Sequence, residues 1–284
     1  MRLGLTVAVV LCAFAANSVL NRLALAGHSI GPGSFALIRL ASGALALSAL
    51  VFWRDGRLKL LGPGRGIGVA SLGLYMLGFS FAYLSLPAGT GALILFGGVQ
   101  ITMFGAALLR GEPLPLLRWV GAGVALFGLV LLLWPNGAAA PDLTGAVLMA
   151  AAAAGWGIYS LNGQRAGDPL NATAANFFGA VPLAILALVA FPDGVAASGT
   201  GVGYAVLAGV VTSGFGYALW YLVLPRLTAS VAAVSQLTVP VLAVCGGAVL
   251  LGEPLTGRLL LASCVVLGGV ALSLWRFGGR PKAG

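Results

Sequence analysis

A chain of 284 residues that is 60% hydrophobic and 7% charged, with a mean hydropathy of +1.06, is excluded from the soluble domains, which carry about 25% charged residues. The composition predicts an all-α integral membrane protein in contact with lipid, each helix needing about 20 apolar residues to cross. The net charge of +9 invites a nucleic-acid partner, but the placement of the basic residues, taken up below, assigns it to membrane topology instead.

Reading from one polar break to the next gives ten apolar stretches, at about 4–26, 31–53, 66–86, 88–109, 115–134, 143–163, 170–191, 201–223, 228–251 and 257–276. The third and fourth are divided mainly by Pro87. An unbroken helix over 66–109 would be about twice the bilayer thickness, so Pro-Ala-Gly reads as a turn. The first stretch is long enough to span and has no small-residue cleavage site after it, which makes it a membrane helix and not a signal peptide. Cys12, Cys245 and Cys264 fall inside spans, with no disulfide framework and no metal-ligand spacing, and no cofactor is implied. GPGRGIG at 62–68 lacks the Lys-Ser/Thr ending and preceding strand of a phosphate loop and reads as a flexible link.

With the N-terminus in the cytoplasm and ten alternating spans, twelve of the fifteen Lys and Arg fall on the cytoplasmic side. Only Arg22 and Arg258 fall on the far side, with His28 on a far-side loop, and Arg39 lies within the second span. This follows the positive-inside bias and places both termini in the cytoplasm.

The tetrapeptide GEPL occurs at 111–114 and again at 252–255, and YLSLP at 83–87 is echoed by YLVLP at 221–225. Five spans per copy is an odd number, so the copies enter the membrane from opposite sides. The expected architecture is therefore two inverted-topology five-helix repeats, residues 1–137 and 138–284, with a site at the midplane between them. In GEPL, Gly is expected to end one helix in a left-handed cap and Pro113 or Pro254 to begin the next. Glu112 or Glu253 would then sit beside a helix N-terminus, where the macrodipole favours its charge. The sharper alternative, a transported proton on one of these acids, is disfavoured by their position at the membrane edges.

Polar and aromatic groups near mid-depth are the candidates for a pathway. Tyr75, Phe79 and Tyr83 share one face of span 3, and Phe96 and Gln100 one face of span 4. Trp156 and Tyr159 pair in span 6, as do Tyr217 and Tyr221 in span 8, with Trp220 alongside. Ser235 and Gln236 precede Pro240 in span 9, and Asn17 and Ser18 make a polar pair in span 1. Tyr83, Trp220, Tyr221 and Trp275 lie near span ends, where interfacial anchoring competes with a cavity role. The two Gln amides read equally as substrate contacts or as interhelical glue. Arg39 needs a partner or a water-filled cavity unless it snorkels from the outer part of its span. Glycine runs in spans 5 and 10 suit close packing, within or between protomers.

Ten spans, GEPL after spans 4 and 9, Pro240 in VPVLA and Trp156-Gly157 in span 6 together resemble the drug/metabolite transporter superfamily, and within it the EamA-type exporters. PGSFALIRLASGAL in span 2 is similar to the family's Pro…Phe-Ala…Arg pattern and puts Arg39 on a family position. Two departures stand in the first half: Val99 and Gln100 where a Pro is expected, and Phe14 to Asn17 where a Trp-Gly is expected. The resemblance covers essentially the whole chain. It implies a bacterial inner-membrane exporter working by alternating access, in a family whose members export amino acids, other metabolites and toxic cations. The aromatic, amide and hydroxyl candidates turn this toward amino acids, aromatic and apolar ones included, as in the aromatic amino acid exporters. A multidrug or organic-cation exporter is the alternative, favoured if Tyr and Trp form a cation–π box. An intramembrane enzyme is disfavoured, since the six acids are scattered through loops. The partners implied are a small-molecule solute and lipid, with the oligomeric state left open and a monomer allowed.

Overall fold

The computed structural model describes residues 2–109, 111, 115–134, 141–163, 167–223, 226, 235–236 and 238–274. Among these every regular element is helical. The helices are α1 (Arg2–Ala26), α2 (Pro32–Asp55), α3 (Arg65–Ala82), α4 (Ala88–Leu109), α5 (Leu116–Leu133), α6 (Leu143–Gly163) and α7 (Pro169–Ala190). There follow α8 (Gly199–Leu207), a π-helical segment (Ala208–Phe215), α9 (Gly216–Val223), α10 (Thr238–Leu251) and α11 (Gly257–Leu274). The α8–π–α9 run forms one rod, Gly199–Trp220 of which counts as a single span. Eight helices are long and apolar enough to cross a membrane, and Thr238–Leu251 and Gly257–Leu272 are shorter apolar helices.

Local chemistry sets the boundaries. Gly31 and Pro32 open α2, Gly56 at φ 68° closes it, and Asp168 accepts the Asn171 amide at the start of α7. Pro87 separates α3 from α4 as expected, but α3 stops at Ala82, four residues earlier than the apolar run suggests. The 62–68 stretch is tied down rather than loose: Arg65 donates to the carbonyls of Leu60 and Ala172, and Asn162 to that of Gly64.

The connections gather into two sets. At one end Arg54 pairs with Asp55 and Asp168, and Asn171 bonds both the amide and the carbonyl of Lys59. At the other, Asp193 accepts the amides of Gly33 and Ser34, Ser85 donates to Asp142, and Arg258 reaches the Leu131 and Trp134 carbonyls. The helices thus run up and down between two ends. Laterally, α5 packs on α11, α2 on α7, α4 on α10, α3 on α6, and α1 on the α8–π–α9 rod. Further contacts join α1 to α10, α6 to α4, α2 to the rod, and α7 to α3. The glycine-rich α5–α11 seam lies within the chain, with Gly128 against Val266 and Gly269 against Ala125. Cys12, Cys245 and Cys264 are free and face outward.

Candidate functional site

Midway along the bundle, α1, α2, α3, α6 and the π segment converge on a buried aromatic and polar centre. Trp156 of α6 is its hub. Its ring stacks on Tyr159 at 5.6 Å and lies 4.9 Å from Tyr75, 4.8 Å from Tyr217 and 6.0 Å from Phe14. Phe79 continues the α3 stripe, 5.3 Å from Tyr75 and 4.8 Å from Tyr83. A cavity of about 10 Å³ is lined by Phe14, Asn17, Tyr75, Phe79, Leu95, Phe96, Trp156 and Tyr217. That is room for about one water; the centre is closed around itself.

Beside this cavity lies Arg39, fully buried. It does not snorkel, because its side chain runs into the bundle instead of toward the α2 N-terminus. Nε donates to Ser213 Oγ at 2.9 Å, and Nη2 makes longer bonds to the hydroxyls of Tyr75 (3.3 Å) and Tyr217 (3.5 Å). The guanidinium carbon sits 5.1 Å from the Phe79 ring centre and 5.6 Å from that of Tyr75. Nη1 is buried with no hydrogen-bond partner among the described residues.

The π segment makes this possible. Widening the helix by one residue per turn brings successive polar residues, Thr212 and Ser213, onto the same centre, and such segments recur at functional sites. Thr212 Oγ1 and Ser213 Oγ both donate to Asn17 Oδ1, at 2.5 and 3.3 Å, while Asn17 Nδ2 donates to the Thr212 carbonyl. A second arm runs from Ser80 to Asn21 and on to the Asn17 carbonyl. The α2 and π backbones approach closely, since a Cβ on Gly43 would lie 2.9 Å from the Gly209 carbonyl oxygen.

The expected site residues divide. Asn17, Tyr75, Phe79, Phe96, Trp156 and Tyr217 line the cavity, and Tyr159 stacks behind Trp156. Tyr83 and Trp220, placed near span ends by the sequence, are buried: Tyr83 fills the α3–α4 turn against Gly91, and Trp220 packs on Phe14. Gln100 is half-buried one turn beyond Phe96, outside the cavity lining, and Ser235 and Gln236 are likewise half-buried and outside it. Pro240 is buried in the first turn of α10. Glu112 and Pro113, Trp275 and the Tyr221 side chain lie outside the described residues. Phe14, Thr212, Ser213 and Asn21 were not singled out. Phe14 had a signal, standing in the stretch where the family pattern has Trp-Gly.

The second GEPL departs from expectation in two respects. Gly252 caps α10 in the left-handed region at φ 65°, as expected, but Pro254 precedes the start of α11 by three residues. Glu253 does meet a helix N-terminus, though not that of the following helix. Both its carboxylate oxygens accept the Ala88 amide, at 3.0 and 2.8 Å, at the start of α4. Arg22 Nε lies 3.4 Å from the same carboxylate, and its Nη1 donates to the Tyr83 and Leu84 carbonyls just after α3. One arginine–glutamate pair thereby fastens both sides of the Pro87 turn. Partial burial raises the Glu253 carboxyl above its ordinary value, against the lowering pull of the Ala88 amide and Arg22. A pocket of about 250 Å³ lies against Glu253 and the Pro87 turn. A larger one, about 550 Å³, lies at the Arg54 end, lined by Leu50, Arg54, Asp168, Leu170, Ala218 and Leu219 among others.

Among the described residues no group of three or more His, Cys, Asp or Glu is placed to hold a metal. Comparison with known proteins gives a consistent set of likenesses. Residues 143–275 match the EamA-like transporter family. The uncharacterized protein PA1977 of Pseudomonas aeruginosa is 50% identical over 264 residues, which is 92% of this chain and 91% of that one. The threonine/homoserine exporter RhtA of Salmonella typhimurium is 29% identical over 253 residues, covering 84% and 80%. A protein of known crystal structure superposes with a TM-score of 0.67 over 93% of this chain and 95% of its own, at 24% identity, a likeness of fold.

Proposed function

Because this chain belongs to the EamA-like transporter family, we propose that it exports amino acids, aromatic and apolar ones included, by alternating access through the centre around Trp156. The observation that carries this is the cavity itself, apolar and aromatic on most sides with Asn17 as its polar wall. At about 10 Å³ it is too small for an amino acid, so transport through it requires it to widen. The Arg22–Glu253 clasp fastens one end, beside a pocket of about 250 Å³, and a pocket of about 550 Å³ lies at the other; in the alternating access proposed here the centre would open toward one end at a time.

The two five-helix repeats, 1–137 and 138–284, belong to this proposal. Exchange α1–α5 for α6, α7, the α8–π–α9 rod, α10 and α11, and the helix neighbours map onto one another. The contact of α1 with the rod becomes that of α6 with α3, α1–α10 becomes α6–α4, and α2–rod becomes α7–α3, while α2–α7, α4–α10 and α5–α11 map to themselves. Gly111 and Gly252, the first residues of the two GEPL copies, share the left-handed conformation at φ 66° and 65°. With the Arg54 end cytoplasmic, as the basic residues favour, the protein sits in the bacterial inner membrane with its larger pocket inward.

The threonine and homoserine exported by RhtA support a second reading, small hydroxylated amino acids met by Asn17, Thr212 and Ser213. The buried cation at Arg39 weighs against an organic-cation solute, by like-charge repulsion in a dry site. Transport is the reaction class of the family, and no catalytic role is proposed. Counterflow in proteoliposomes loaded with the standard amino acids plus homoserine decides among these. Exchange of Phe, Tyr, Trp and apolar residues supports the first reading, and exchange confined to Thr and homoserine the second. If no amino acid exchanges, both fall.

A further inference from the structure

The geometry points to Arg39 as the receptor for the carboxylate of the transported solute, a reading that rests on the proposed amino acid export and specifies its polar contact. A buried guanidinium without a counter-charge is costly in a membrane interior, and such residues mark functional sites. The partners of Arg39, Ser213, Tyr75 and Tyr217, are all neutral hydroxyls. The described acids are committed elsewhere: Asp55 and Asp168 to Arg54, Asp142 to Ser85 and the Gly145 amide, Asp193 to the α2 N-terminus, and Glu253 to Arg22 and Ala88. No ion pair to Arg39 exists among the described residues, and Nη1 carries no hydrogen bond there.

The arrangement fits an incoming anion. A guanidinium presents a planar fork that matches the two oxygens of a carboxylate. One fork position, Nη1, is unused, and the other, Nη2, is held only by long bonds to two tyrosines that themselves line the cavity. A carboxylate arriving from the cavity would replace those two weak bonds and supply the missing charge. The same rings, with Trp156 and Phe79, would flank an apolar or aromatic body. A structural alternative, Arg39 as a neutral-partnered tie among α2, α3 and the π segment, makes no distinction between solutes.

The test compares L-phenylalanine, its carboxyl-blocked amide and 3-phenylpropionate, which lacks the amine. Each is offered to purified wild-type protein, Arg39→Lys and Arg39→Gln, with thermal stabilisation as the binding readout and counterflow as the transport readout. The expected result is that phenylalanine and 3-phenylpropionate stabilise the wild type and phenylalaninamide does not. Arg39→Lys should weaken this, and Arg39→Gln should weaken it by about 100-fold, the usual scale for removing one side of a buried charge pair. Equal binding of the amide to the wild type, no binding of any of the three, or undiminished phenylalanine binding and exchange in Arg39→Gln would each overturn the assignment. If 3-phenylpropionate binds through Arg39 while no amino acid exchanges, the anion site stands and the amino acid reading falls. If amino acids exchange equally in wild type and Arg39→Gln, the reverse holds. Should Arg39→Gln fail to fold, the amide comparison on the wild type decides alone.

Discussion

Two arginines in this molecule sit in opposite circumstances. Arg22 lies near the end of α1, partly exposed, with a glutamate beside it and two carbonyls just after α3 as acceptors. Arg39 lies fully buried in α2, with hydroxyls and aromatic faces but no acid around it among the described residues. The first is an arginine whose needs are met by the fold, and it fastens a turn. The second has no acid and one unbonded donor among the described residues, an arrangement expected of a group kept for something that comes and goes. Charge in a chain this apolar is therefore of two kinds, separable by whether its partner belongs to the protein.

The largest effect should come from removing the second kind. Arg39→Leu is expected to abolish carboxylate-dependent counterflow while leaving thermal stability unchanged or higher. Tyr75 and Tyr217 still bond to each other, Ser213 still reaches Asn17, and a buried unpaired charge has been replaced by an apolar group. A parallel scan of melting temperature and exchange checks both halves. A large loss of stability would make Arg39 structural and merge the two classes.

Next is the close approach that holds Arg39 in place. A Cβ on Gly209 would overlap Ser42 Oγ and the Arg39 carbonyl oxygen. Gly209→Ala should destabilise by about 1–3 kcal/mol, the range for overpacking, and lower exchange as well, because α2 and the π segment would be pushed apart at the Arg39 level. Wild-type exchange in a folded Gly209→Ala protein would show that the Arg39 register does not matter.

How much of this was legible in the sequence follows from what each signal physically encodes. Span number and breaks were read from hydropathy and Pro87; among the described residues the structure has eight helices long enough to cross and two shorter apolar ones, with α3 ending early because residues 83–86 form turns ahead of the proline. The α3 stripe of Tyr75, Phe79 and Tyr83 was visible because helical periodicity is a local property. The π segment was not, since Ala208–Phe215 is apolar like its neighbours and its hydrogen-bond shift has no compositional mark. Thr212 and Ser213 were overlooked with it. The GEPL reading was right about the glycine but not about Pro254, which does not begin the next helix, nor about which helix N-terminus Glu253 meets; a local motif cannot say that this helix lies 165 residues away in sequence. The depth of Arg39 was ambiguous for a similar reason: one-dimensional position allows snorkelling, and only packing fixes which way the side chain runs.

A smaller effect tests whether the two halves are equivalent. Gly111 and Gly252 hold φ near 66° with open space around the site of a Cβ. Alanine at either should cost about 1–2 kcal/mol from left-handed strain alone, without steric overlap. Matching losses in the two single variants, read from thermal unfolding, would support the repeat. A loss at one position only would mean that the second copy of the motif has been put to a different structural use.

The smallest effect concerns Arg22 and Glu253, and it bears on the other side of the comparison. A double-mutant cycle with Arg22→Ala and Glu253→Gln should give a coupling of up to about 1 kcal/mol, the scale of partly exposed pairs. Its pH dependence has a definite sign. Burial raises the folded-state Glu253 value above its ordinary one, so between the unfolded and folded values the folded side chain holds its proton more firmly than the unfolded one. The stability gained from taking up that proton is complete below the unfolded value and is lost as pH rises through the folded one. The Arg22 coupling moves oppositely, absent at low pH and growing as Glu253 ionises. A coupling measured as zero at low pH and positive above the raised value would identify the clasp as a charge pair that acid releases. If the coupling is independent of pH, the fastening is the work of the Ala88 amide and the carbonyls just after α3, and Arg22 is satisfied by those carbonyls rather than by its glutamate.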